Sequence, residues 1–365
     1  MALTPDEREE RLDALRQRRD LLLNARGLQP FDTGTNPDAE TRWLLHARQQ
    51  GAANSDDQMV ELLDHYLDGT DPRPRVRSTE ALSQPVRDFV ERRIAHSTRL
   101  GDLDSAVLVD EFPTGDFNAQ VSRERDGFIV YLNAGTRILF AHFAAAALHR
   151  GSEPLTDADA RFLGDLIESY VQGGDLFTLP APVPADLTSF MLAGALDRAL
   201  QTFCIAHEYG HILAGHLGDQ RHATPIPELI AKSQAQEFEA DHLAAVILLG
   251  DSWPEIDGID VFDRIRRDTH VPDDIRRATE LSAAISAPPV FFAIAHLIEA
   301  AQATLNRAPQ VPSTHPPPPT RASALAQMPA TTLDSRARSW WPFAADLQHL
   351  ADERFPMPGP GPHRS

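Results

Sequence analysis

Between residues 4 and 98, apolar positions are spaced among charged ones at helical intervals, predicting amphipathic helices over 4–26, 38–50, 55–68 and 78–98. Gly27, Pro37, Gly51 and the Pro72-Arg73-Pro74 turn separate them. The first opens on a capped start, with Thr4 as N-cap, Pro5 in the first turn and Glu7 closing a capping box. Charged helices of this kind form a supporting layer or a partner-binding face. The period then shortens. Asp116 to Val121, the turn Arg125-Asp126-Gly127 and Phe128 to Asn133 read as a β-hairpin.

Two stretches are almost wholly apolar. Ile138 to Leu148 is too short for a bilayer and carries His142; Ser286 to Ile298 is interrupted by Pro288-Pro289 and carries His296. Both are expected as buried helices, so no membrane span is expected. Pro356 to Pro362 alternates proline with glycine and methionine and is expected to be a disordered tail. The expected organisation is a helical region over 1–100, a central α+β and mostly helical domain over 101–328, and an extension over 329–365.

Composition narrows the partners. A formal charge of −19 makes nucleic acid an unfavourable one. The single cysteine, Cys204, excludes an intrachain disulfide and fits a reducing compartment. With no secretory signal visible at the N-terminus, a cytoplasmic location is expected. Oligomeric state is not legible.

The chemistry begins at His207-Glu208-Tyr209-Gly210-His211. Two imidazoles four residues apart share a helix face and can bind one metal ion. Glu208 between them stands beside the open position, where it can take a proton from water. The flanks Cys204-Ile205-Ala206 and Ile212-Leu213-Ala214 are uncharged, unlike those of a surface helix with an accidental histidine pair. Gly210 removes a side chain beside the second ligand. A second helix, from near Pro227-Glu228 to Gly250, carries Glu237, Glu239 and Asp241. Glu237 and Asp241 share a face and Glu239 turns away from both. Acidic runs are often solvated faces, but Leu243 to Leu249 makes this helix apolar and its acids in need of partners. Glu237 can then complete a His₂Glu zinc set, and Asp241 can accept the N–H of a ligand imidazole.

H-E-x-G-H followed by E-x-E-A-D-x-x-A resembles the HtpX and CAAX-prenyl-protease family of gluzincin metallopeptidases, over roughly residues 105–326. The resemblance implies a zincin-like domain with a small β-sheet, one Zn²⁺ per chain and hydrolysis of a protein or peptide substrate. It also implies roles for the His-Pro at His315-Pro316, followed by Arg321 and Leu325: His315 and Arg321 would hold substrate or the oxyanion. This chain departs from the family by running four prolines, Pro316 to Pro319, and by Ala322 in an aliphatic position. By composition alone the same segment is a polyproline linker. Asn118-Ala119 resembles the Asn-Ala that begins the substrate-pairing strand of gluzincins; read without the resemblance, the two are ordinary hairpin residues. The best-known relatives lie in membranes, so their substrates are not carried over. The expected function is that of a zinc-dependent endopeptidase with Glu208 as general base. Alternatives are a regulatory or host-defence protease specific for one partner, and a non-catalytic zinc scaffold working through its N-terminal helices. Cys204, His142, His216, His222 and His296 are expected outside the ligand set, with His216 near enough to the helix end to touch substrate.

Overall fold

The computed structural model describes residues 3–27, parts of 48–64, 79–148, 155–173, 187–217, 226–250, 273–305, 315–327 and 341–356. They are mostly helical, with one small three-stranded sheet, an α+β arrangement. The strands β1 (Ala106–Phe112), β2 (Ala119–Glu124) and β3 (Gly127–Asn133) lie in the order β1-β3-β2. The hairpin of β2 and β3 is the expected one, with Val121 opposite Val130.

β1, parallel to β3, is a strand the pattern did not predict. Its apolar run ends in Asp110 and Glu111, poor candidates for burial unless paired. All seven positions are buried, and each acid has a basic partner. Arg19 Nη1 donates to Asp110 at 2.6 Å and Arg137 Nε to Glu111 at 2.5 Å.

Strand alternation gives the sheet two apolar faces. Ala106, Leu108 and Phe112 of β1 join Ile129 and Tyr131 of β3 against Leu12, Leu15 and Leu23 of α1 (Pro5–Ala25). Val107, Val109, Val130 and Leu132 turn the other way into the main core. The N-terminus of α1 has the expected capping box: Thr4 and Glu7 each accept the other's backbone N–H.

The main core is built around one long helix, α5 (Leu187–Leu213), and its neighbours. These are α2 (Thr79–His96), α3 (Ala134–Leu148), α4 (Asp157–Val171), α6 (Ile226–Leu249), α7 (Asp273–Leu305), α8 (Pro318–Ala326) and α9 (Trp341–Arg354). Helices α2, α3, α6 and α7 pack on α5, and β2 and β3 lie against it. The two apolar stretches belong to α3 and α7, and both are buried. Thr279–Leu305 of α7 is long and apolar enough to cross a membrane, but most of its apolar window is packed inside this core. Helix α7 continues through Pro288-Pro289 instead of breaking there.

Helix α8 begins at Pro318, inside the run of prolines. Prolines in a first helical turn sacrifice no hydrogen bond, because those N–H groups have no intrahelical acceptor. The expected helices 38–50 and 55–68 fall mostly outside the described residues, as do His222 and residues 357–362 of the tail.

Helix α1 is part of the fold's support. Three buried leucines contribute about 1.5–3 kcal/mol each, set against a total stability of about 5–15 kcal/mol for a domain. A chain lacking residues 1–100 is therefore expected to lose cooperative thermal unfolding and to bind a hydrophobic dye. A sharp transition within a few degrees of the full-length protein would show that the layer is dispensable.

Candidate metal centre

The site forms where α6 crosses α5. A Cβ on Gly210 would lie 2.8 Å from the carbonyl oxygen and 2.9 Å from the Cα of Ala240, closer than side chains stand to backbone. Glycine therefore admits the second helix itself, a larger task than clearing space beside His211. The crossing brings Glu237 of α6 over the two histidines of α5.

His207 Nε2 and His211 Nε2 are 3.2 Å apart. Glu237 completes a triangle of residues, with Oε2 3.4 Å from His207 Nε2 and Oε1 3.5 Å from His211 Nε2. Ligands about 2.0–2.2 Å from a tetrahedral ion stand about 3.3–3.6 Å from one another, close to these separations. Glu237 Oε2 is buried with no hydrogen-bond partner. A buried carboxylate oxygen short of hydrogen bonds is suited to a cation, and Arg321 Nη2 already stands 3.3 Å from it as an ion pair. His207, His211 and Glu237 are a group that can hold a metal ion.

Both imidazoles are held from behind. His207 Nδ1 is 3.0 Å from Asp241 Oδ1, and Asp241 is fully buried. Arg321 of α8 grips the same carboxylate with both arms, Nε to Oδ2 at 2.7 Å and Nη2 to Oδ1 at 2.6 Å. Its Nη2 is also 3.3 Å from Glu237 Oε2 and 3.5 Å from His207 Nδ1, and its guanidinium lies 4.9 Å from the centre of the Phe292 ring on α7. Arg321 is thus engaged by the carboxylates behind the ligands. At the other imidazole, His211 Nδ1 is 2.9 Å from His216 Nδ1, and His216 Nε2 is 3.0 Å from Glu239 Oε2. Sequence reasoning missed this pair of contacts. Glu239 does leave the ligand face, but it returns to the site through His216.

His315, just before α8, reaches the mouth of the centre. Its Nε2 is 3.4 Å from Glu237 Oε1 while 56% of the side chain stays exposed. The proline run therefore folds against the site, and is not a free linker at this point. Glu208 is buried beside the triangle without belonging to it.

Glu208 also faces the sheet, where the Val121 backbone N–H favours its charged form against the effect of burial. Asn118 O accepts from Asn133 N, which fixes the ladder: even positions of β2 face β3, and the N–H and C=O of Ala119, Val121 and Arg123 face outward. Asn118 itself is tied to Thr136 Oγ1 through its N–H, at 2.7 Å. Cys204 is buried, and burial pushes its thiol well above the ordinary range. His142 packs near Phe162, and His296 lies 3.9 Å from Asp352, both away from the ligands.

The charges are arranged for a cation. Burial opposes charge on His207, but Asp241 and Glu237 outweigh it and raise its pKa to about 9. Burial, with repulsion from His207, lowers His211 to about 4. Burial also opposes charge on Glu237, yet His207 and Arg321 hold it down at about 2. Glu208 goes the other way: burial raises it to about 7.

Compared with family models, curated proteins and solved structures, the chain has no significant match.

Two outcomes are expected from metal titration of the metal-free protein. His211→Ala and Glu237→Ala should each abolish stoichiometric binding. Affinity should also climb with pH. With its pKa near 9, the His207 ring carries a proton on Nε2 at neutral pH, which an incoming ion displaces while Nδ1–H stays with Asp241. One displaced proton gives roughly a tenfold gain per pH unit between pH 6 and 8. A flat profile in a chelator-competition assay would contradict this charge assignment.

Proposed function

We propose that the chain is a zinc-dependent endopeptidase of gluzincin type, with a zincin-like domain akin to the HtpX and CAAX-prenyl-protease family. The observation that carries the reading is Glu208: a buried carboxylate beside three converging ligands, not itself one of them. A site meant only to brace the fold would use four protein ligands and would need no such base. Two imidazoles and one carboxylate with a position left over are the donor set of catalytic zinc.

When bound, Zn²⁺ supplies a Lewis acid for the scissile carbonyl and lowers the pKa of water beside it. The chain's own residues do the rest. Glu208, raised to about 7 by burial, is matched to take a proton from the attacking water and to pass it to the leaving amine. The Val121 N–H of β2 favours the charged form of this carboxylate. The outward N–H and C=O groups of Ala119 can pair with an extended peptide, so a protein or peptide is the substrate that fits. Asn118 supports that edge through its bond to Thr136. His315, exposed at the mouth, is the donor available to a developing oxyanion. Arg321 serves as a brace in place of the oxyanion role that the resemblance implies, because its guanidinium is committed to Asp241.

Glu208→Gln keeps shape and hydrogen bonding while removing the base. The zinc-loaded variant should retain its metal and lose about 10²–10⁴-fold in peptide cleavage, read as new N-termini generated from a proteome digest. Undiminished cleavage would end the enzyme reading and favour a zinc scaffold.

His315→Ala is expected to lower kcat by about 10²–10³-fold with zinc content and Tm near wild type. Arg321→Ala should instead lower Tm, by leaving Asp241 buried and half-paired. Equal kcat in His315→Ala and wild type would remove His315 from the chemistry.

A further inference from the structure

The contact between His211 and His216 has a structural origin in the way α5 ends. Gly215 has φ +69°, in the left-handed region that glycine enters without strain. The His216 N–H bonds the His211 carbonyl at 3.0 Å, and the Gly215 N–H bonds the Ile212 carbonyl at 3.1 Å. Those two bonds define a Schellman termination, with His211 at C3, Gly215 at C′ and His216 at C″. In that motif the C3 and C″ side chains meet, usually through apolar groups. Here both are imidazoles. The backbone that stops the helix therefore places His216 on the rear nitrogen of a metal ligand.

Resting on the metal-centre reading above, we propose that His216 and Glu239 are positioning residues that fix the tautomer and the aim of His211. The directions of the hydrogen bonds follow from ligation. A metal on His211 Nε2 requires the proton on Nδ1, so Nδ1–H donates to His216 Nδ1. His216 must then carry its own proton on Nε2, which donates to the Glu239 carboxylate. No other assignment lets neutral rings satisfy both contacts while leaving His211 Nε2 free. His216 has a side chain only 7% exposed, whereas Glu239 is 62% exposed and reaches it from α6. His207 is held at the same ring position by Asp241, so each imidazole has its own anchor, one direct and one through a second ring. An anchor of this kind raises the ligand's basicity and removes its freedom to rotate, and its loss typically costs about 10–100-fold in metal affinity.

The test uses full-length, metal-free protein titrated with zinc in competition with a chromophoric chelator. His216→Ala should bind zinc about 10–100-fold more weakly than wild type. His216→Asn should recover most of that loss, because its amide oxygen can take over as acceptor for His211 Nδ1–H. A residue that merely filled space would show no such rescue. Glu239→Ala, on an exposed side chain, should fold normally and lose affinity in the same direction by a smaller factor; it decides the matter if His216→Ala does not fold. Wild-type affinity in both His216→Ala and Glu239→Ala would overturn the relay alone. An asparagine variant as weak as the alanine would overturn it too. A wild-type protein that takes up no zinc would overturn the metal centre itself, and the relay with it.

Discussion

Asp241 carries no exposure and accepts from two directions, from both arms of Arg321 and from the rear of His207. A buried carboxylate stripped of one partner typically costs about 3–5 kcal/mol, far more than an exposed ion pair contributes. The site depends on this group because its partners come from different elements. Arg321 brings α8 down onto α6, and His207 ties α6 to α5. Phe292 under the guanidinium adds α7 to the same junction. Burial opposes the charge on Asp241, but Arg321 and His207 keep it ionised. The charges that orient the two histidines and Glu237 are therefore compensated by one another.

The sheet shows a comparable solution on a smaller scale. β1 is buried on both sides, yet it carries two acids in sequence. Alternation sends Asp110 toward α1 and Glu111 toward α3, and each layer supplies one arginine. The polar pair in the middle of a strand thus fastens a helix to each face. Helix α2 links this support to the site. Glu91 accepts the hydroxyl of Tyr209 at 3.1 Å and also pairs with Arg8 of α1, so the residue next to Glu208 is tied to the N-terminal helix.

Much of this was legible before any coordinates. The caps of α1, the hairpin and the span of α6 follow from local rules, because caps, turns and period depend on neighbours in the chain. The shared faces of His207 with His211 and of Glu237 with Asp241 follow from helical spacing, and the chemistry of a His₂Glu set suggested that the two faces meet. What escaped depended on distant partners or on unfamiliar uses of local rules. β1 was obscured by Asp110 and Glu111, whose arginines lie 91 and 26 residues away. The start of α8 was obscured by prolines that serve as well in a first helical turn as in a linker. His216 was the nearest miss. The string His211-Ile212-Leu213-Ala214-Gly215-His216 contains its own termination signal, and a glycine four residues after a ligand already implies which side chain comes back to meet it.

Tyr209 and Gly210, the two positions between Glu208 and His211, are tightly constrained by their surroundings. Tyr209 is buried to 0% exposure with its hydroxyl on Glu91, and Gly210 lies against the backbone of Ala240. One letter records which helix supports the segment with the two histidines, and the other records how near the helix of Glu237 can come. A wildcard at either position discards its record. Reading those letters as packing instructions turns a five-residue signature from a flag for chemistry into a partial blueprint of the architecture around it.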